Sequence, residues 1–241
     1  MQYSDSPRYY YVMIMKEKVF YNFSRSKIYY INVINSLNCR RIQNDTWKLS
    51  SASPFEGVGT NLKGKTIGIM GLGRIGLAVA KRFSGFEIGK IIYTATKPKP
   101  EILLGPEYLQ FQYVDFEQLL AESDVIIVTA AYNEKTKEIF NKEAFKKMKK
   151  TAFIINNARG GLIQQEDLVE ALKEGEIGGA GLDVMTPEPI APDHELVKLP
   201  NVVLTPHIGT STRETRLEMI NLVVDNILAA LQGKPMPTRL C

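Results

Sequence analysis

GIMGLGRIGLAVAKRF, running from Gly68 to Phe83, sets three glycines in the order Gly71-x-Gly73-x-x-Gly76 between a short apolar run and an apolar-periodic stretch. The run TIGIM, Thr66 to Met70, has the length and composition of a buried strand, and Ile75 to Phe83 spaces its apolar residues as a helix does. Strand, glycine turn and helix in that order give each glycine a separate task. Gly71 permits the tight turn, Gly73 lets backbone approach a pyrophosphate, and Gly76 lets helix and strand pack closely. With Arg74 and Ile75 between them, these residues open a helix whose first N–H groups lack intrahelical partners and face an anion. The turn is read as the cradle of a dinucleotide.

Outward from this turn the chain repeats the same alternation. From Lys65 onward, short β-type runs (TIGIM, KIIYT, DVIIVTA, AFIIN, GGAGLDV, NVVLT) are separated by helical stretches such as QEDLVEALKEG. Strands alternating with helices predict an α/β fold, a doubly wound parallel sheet covered on both faces. Gly175 is placed to stop the helix that carries Leu168, Val169, Ala171 and Leu172. Ser211 and Glu214 have the spacing of a capping box before a long helix, on which Leu217, Ile220, Val224, Ile227 and Leu231 form one stripe ending near Gly233.

Composition excludes several classes of function. The chain has 241 residues, 44% of them hydrophobic, and a formal charge of only +4. Its one dense basic run, Lys142 to Lys150, carries Phe145 and Met148 at helical spacing and reads as a solvated helix face, so no nucleic-acid partner is expected. No apolar run approaches the roughly 18 residues of a membrane span. The start has no signal-peptide order, and the two cysteines, Cys39 and Cys241, have no metal-type or disulfide-type neighbours. A cytoplasmic location and no metal site are expected. Seven of the eleven tyrosines fall in residues 1–30, which look unlike the remainder.

The coenzyme is read about 20 residues past the glycines, where NAD-binding versions carry an acid for the adenosine ribose. Here the second strand ends IIYTATKPKP, with Thr94, Thr96, Lys97 and Lys99 in that region and no acid at the tip. Hydroxyl and ammonium groups there accommodate a 2′-phosphate that a carboxylate would repel. NADP is therefore expected over NAD, with Thr96 and Lys97 as its contacts and NAD as the alternative.

Three later segments end strands on the same side: IINNARGGLI, AGLDVMTPEP and VVLTPHIGTST. With the glycine turn they resemble the D-2-hydroxyacid dehydrogenases, from about Cys39 to Leu240, and the wording FKKMKKTAFIINNARGGLI is most similar to the glyoxylate and hydroxypyruvate reductases within that family. The resemblance implies reduction of a small 2-oxo acid and a homodimer. It also implies roles: Arg159 as the fork that anchors the substrate carboxylate, His207 as the proton donor, and Glu188 as the carboxylate that orients it. Asp183 matches a residue facing the nicotinamide end, while Ala131, Asn157 and Gly209 match positions lining the coenzyme. His194, in APDHELVKLPN, is assigned no chemistry.

Departures from the family shape the expected organisation. Residues 1–38 match nothing in its pattern, residues 39–208 form the dinucleotide-binding domain, and residues 209–241 carry the helix that in the family returns to a substrate domain. Most of that second domain is expected to be missing, leaving a remnant and an uncovered apolar stripe. The alternatives are a catalytically weak NADP-binding module and, less favoured, a cofactor-sensing corepressor of the same fold. Formate dehydrogenase is disfavoured by Glu188, because that branch pairs its His with Gln.

Overall fold

A computed structural model describes residues 60–99 and 110–238 of the chain. The sequence readings on residues 1–38, Cys39 and Cys241 lie outside the described residues.

Seven strands form one sheet: β1 (Thr66–Met70), β2 (Lys90–Thr94), β3 (Gln110–Tyr113), β4 (Val125–Val128), β5 (Phe153–Asn156), β6 (Gly179–Leu182) and β7 (Val202–Leu204). Their order is β3-β2-β1-β4-β5-β6-β7 and every pairing is parallel. Apart from β3, the strands are short and mainly apolar, as strands covered on both faces of a sheet are. Alternation along β1 and β4 then divides the core. Ile67, Ile69, Val125 and Ile127 face one side, with Val79, Ala80 and Phe83 of helix α1 (Arg74–Phe83). Met70, Ile126 and Val128 face the other. There they pack with α2 (Phe116–Glu122), α3 (Lys142–Lys147) and α4 (Gln165–Lys173).

Chain order reverses between β1 and β4, which are neighbours in space although β2 and β3 lie between them in sequence. Loops leaving the carboxyl ends of these two strands diverge to opposite faces, and the crevice between them is where open α/β sheets bind ligands. The glycine turn sits at that point. The sequence pattern does not mark β3, because QFQY carries too few apolar residues to stand out from a loop. It is an edge strand paired with β2, with Phe111 packed against the core and Gln112 and Tyr113 exposed.

Helix ends follow local chemistry. α4 stops where Gly175 takes the left-handed conformation at φ +68°, as its placement suggested. The last helix, α6 (Arg213–Leu231), is capped by Thr212, whose side chain accepts from the Thr215 N–H; the expected cap, Ser211, lies one residue too early and instead accepts from Arg216. A threonine with extended backbone directly before the first turn makes the same bond, and spacing alone does not separate the two. Between them is the short α5 (Glu195–Lys198), capped by His194 through Nδ1, which gives that residue a structural role.

The basic run behaves as a solvated helix face. Lys142, Lys146 and Lys147 pair with Glu170, Glu143 and Glu117 at 2.7 to 2.9 Å, while Phe145 and Met148 are buried. α6 is different: Leu217, Ile220, Val224, Ile227 and Leu231, the stripe read from the sequence, are between 45% and 79% exposed. Among the described residues no helix is long and apolar enough to cross a membrane, and no group of residues is arranged to hold a metal ion.

Candidate active site

The glycine turn closes over β1. Gly71 has φ +96°, and a Cβ there would lie 2.6 Å from the backbone of Ala130, so the turn leans directly on the chain leaving β4. Gly76 is equally constrained, since its Cβ would lie 2.4 Å from the Gly71 carbonyl oxygen. Gly73 is the contrast. Nothing lies within 4 Å of its missing side chain, and it opens on the exposed start of α1 at Arg74 and Ile75. First-turn amides of α1 and an empty space at Gly73 form a cradle that suits a phosphate.

Past the ends of the neighbouring strands stand the other residues read as lining the coenzyme. Thr96 and Lys97 are exposed beyond β2, and Ala131 is exposed beyond β4, its carbonyl held by Thr136 Oγ1 at 2.8 Å. Asn157 follows β5. Its Oδ1 is buried and has no hydrogen-bond partner within the protein. A buried acceptor without a donor is costly unless a ligand satisfies it. Together with the cradle at Gly73, it fits this site to a dinucleotide.

The catalytic candidates occupy the ends of β5, β6 and β7. Arg159 is exposed in the turn after β5, and its Nη1 donates to the Ala158 carbonyl. Gly160 beside it could not carry a side chain, because a Cβ would lie 2.1 Å from the carbonyl oxygen of Met185. The Arg159 turn and the β6 loop therefore touch through backbone, which keeps Arg159 close to Glu188. In that β6 loop, Glu188 Oε1 accepts from the Met185 N–H at 3.0 Å, and Oε2 faces His207 Nδ1 at 2.8 Å. Partial burial alone would push the Glu188 carboxyl up. The hydrogen bonds from His207 and Met185, and the nearby charges of His207 and Arg159, outweigh it and hold the group below its ordinary 4.5.

His207 reaches this position through an unusual backbone. Its φ is +51°, a conformation non-glycine residues rarely adopt, and its N–H donates to the carbonyls of Asp183 and Thr205. Asp183 fastens the whole loop. Buried at the end of β6, its carboxylate accepts from Thr205 Oγ1, from the Ile208 N–H at 2.9 Å and from the Gly209 N–H at 2.8 Å. The structure thus gives Asp183 and Gly209 a fastening role that the motif reading had not foreseen. A second such tie was also missed: Gln165, at the start of α4, accepts from the Thr186 N–H at 3.0 Å and steadies the Glu188 loop. No local pattern marks it, because its partner lies 21 residues away.

Residues 35–209 match the D-isomer specific 2-hydroxyacid dehydrogenase, NAD binding domain. Over 211 residues the chain is 44% identical to the glyoxylate reductase/hydroxypyruvate reductase of Mus musculus, covering 84% of this chain and 62% of that protein. The Homo sapiens protein of the same name is 42% identical with the same coverage. Among solved structures, a glyoxylate reductase from Paecilomyes thermophila superposes with a TM-score of 0.76 at 35% identity, covering 87% of this chain and 60% of that one. The chain spans about 62% of the length of the curated relatives it matches.

Proposed function

Because the chain belongs to the D-isomer specific 2-hydroxyacid dehydrogenase family, we propose that it reduces a small 2-oxo acid, glyoxylate or hydroxypyruvate, to the D-2-hydroxy acid, using NADPH. A nicotinamide coenzyme, when bound, supplies the hydride. The observation that carries the proposal is the 2.8 Å contact of Glu188 Oε2 with His207 Nδ1. With Nδ1 facing the carboxylate, Nε2 is the nitrogen left to give a proton to the substrate carbonyl oxygen, and Glu188 balances the charge of the doubly protonated ring. Arg159 offers a planar fork to the substrate carboxylate, and its charge lies close enough to act on Glu188.

The coenzyme is assigned from the β2 tip. Thr96 and Lys97, exposed there without an acid among Thr94–Lys99, would take the 2′-phosphate of NADPH in preference to the free ribose of NADH. By the same family resemblance the working form is a homodimer, and the two cysteines without disulfide-type neighbours favour the reducing cytoplasm.

One sample tests both halves of the proposal. Titration by nicotinamide fluorescence should give tighter binding of NADPH than NADH, and a steady-state assay should show oxidation of NADPH on adding glyoxylate or hydroxypyruvate. Equal or tighter NADH binding removes the NADP assignment. Coenzyme binding without turnover on any 2-oxo acid favours the second reading, a module that holds the dinucleotide without reducing a substrate; the exposure of Arg159 and His207 supports that reading.

A further inference from the structure

Lys99 stands just past the residues assigned to the 2′-phosphate, yet its side chain is engaged elsewhere. Its ammonium donates to the carbonyl of Leu72, 2.7 Å away inside the glycine turn, and its backbone N–H donates to the Tyr93 hydroxyl at 3.0 Å. Tyr93 is buried and packs edge-on against Tyr113. The segment after β2 is thus anchored to the sheet through Tyr93 and to the glycine turn through the Lys99 side chain.

The same turn is tied to β2 a second way, because the N–H groups of Gly71 and Leu72 both donate to the Thr94 carbonyl, at 3.0 and 3.2 Å. The peptide between Leu72 and Gly73 is then gripped on both sides: its oxygen by Lys99 and its N–H by the Gly71 carbonyl at 2.9 Å. A carbonyl free to swing toward a bound diphosphate would oppose its negative charge. An ammonium on that oxygen holds the peptide in place and adds a cation beside the anion cradle.

We propose that Lys99 is a positioning residue for the dinucleotide diphosphate, acting through the Leu72 carbonyl and therefore equally on NADPH and NADH. The inference rests on the coenzyme reading of the glycine turn and separates two neighbouring lysines. Lys97 distinguishes the two coenzymes; Lys99 orders the part they share.

The test is a fluorescence titration of the full chain with NADPH and NADH, for the wild type, Lys97→Ala, Lys99→Met, Lys99→Gln and Lys99→Arg. Loss of one charge-assisted bond should weaken both coenzymes about tenfold in Lys99→Met, with their ratio unchanged. Arginine at 99 should restore most of the affinity, and Lys97→Ala should weaken NADPH alone. A loss confined to NADPH in Lys99→Met would make Lys99 a 2′-phosphate ligand and overturn the proposal, as would unchanged binding of both. Thermal unfolding without coenzyme guards against a general folding defect: Met and Gln variants should melt with the wild type, and a lowered midpoint in both assigns Lys99 a structural role instead. Wild-type protein that binds neither dinucleotide removes the coenzyme reading itself, a result distinct from all of these.

Discussion

His207 Nδ1 and Glu188 Oε2 lie 2.8 Å apart across two loops that leave different strands, and His207 reaches that contact at φ +51° with its N–H on the Asp183 carbonyl. Replacing His207 by Ala should lower kcat for glyoxylate or hydroxypyruvate by about 10²–10⁴-fold, the usual worth of a placed general acid. Glu188→Gln keeps a hydrogen-bonding shape but removes the charge, so kcat should fall while coenzyme affinity stays level. Steady-state kinetics beside coenzyme titration checks both, and an unaltered kcat in either variant would remove the pair from the chemistry.

Arg159→Lys should act on substrate use rather than on the coenzyme. Lysine keeps the charge and loses the two-pronged geometry, a change worth about 10- to 100-fold in kcat/KM where a carboxylate is held bidentately. The loss should appear mainly in KM. Unchanged kcat/KM would place the substrate carboxylate elsewhere.

Gly73 and Gly76 make opposite predictions although both belong to one motif. A side chain at Gly76 would meet the Gly71 carbonyl oxygen at 2.4 Å, so Gly76→Ala should destabilise the fold by about 1–3 kcal/mol as overpacking does. Gly73 has open space around it, so Gly73→Ala should melt like the wild type yet bind NADPH poorly, because its methyl group fills the cradle. Thermal unfolding with and without NADPH distinguishes the two. A Gly73→Ala protein with full coenzyme affinity would mean that the diphosphate lies elsewhere.

Acid should loosen the sheet through Asp124. Burial alone would push this carboxyl up, but the Thr66 N–H, 2.9 Å from Oδ2, and the ammonium groups of Lys149 and Lys65 hold it below its ordinary 3.8. A carboxyl lowered in the folded state favours folding above its unfolded value, and that contribution is lost as pH falls below 3.8 through the folded value. Melting followed from neutrality into that range should therefore show a steeper decline for the wild type than for Asp124→Asn. Asp124→Ala, which strands the Thr66 N–H, should cost about 1–3 kcal/mol at neutral pH.

The sequence alone determined the doubly wound sheet, the glycine turn and the three strand ends that carry Arg159, Glu188 and His207. These depend on local facts: apolar runs of strand length, glycines where backbone must turn or approach, and motifs whose order is read along the chain. Edge strand β3 is not marked because QFQY carries too few apolar residues, and the cap of α6 fell one residue away because Ser211 and Thr212 offer the same oxygen. Tertiary structure decided how the site is held. The Asp183 carboxylate on the His207 loop, Gln165 on Thr186, Gly160 against Met185 and Lys99 on Leu72 all join residues more than 20 positions apart. Such bonds have no period or spacing, because they exist only once parallel strands have brought their carboxyl ends into one row.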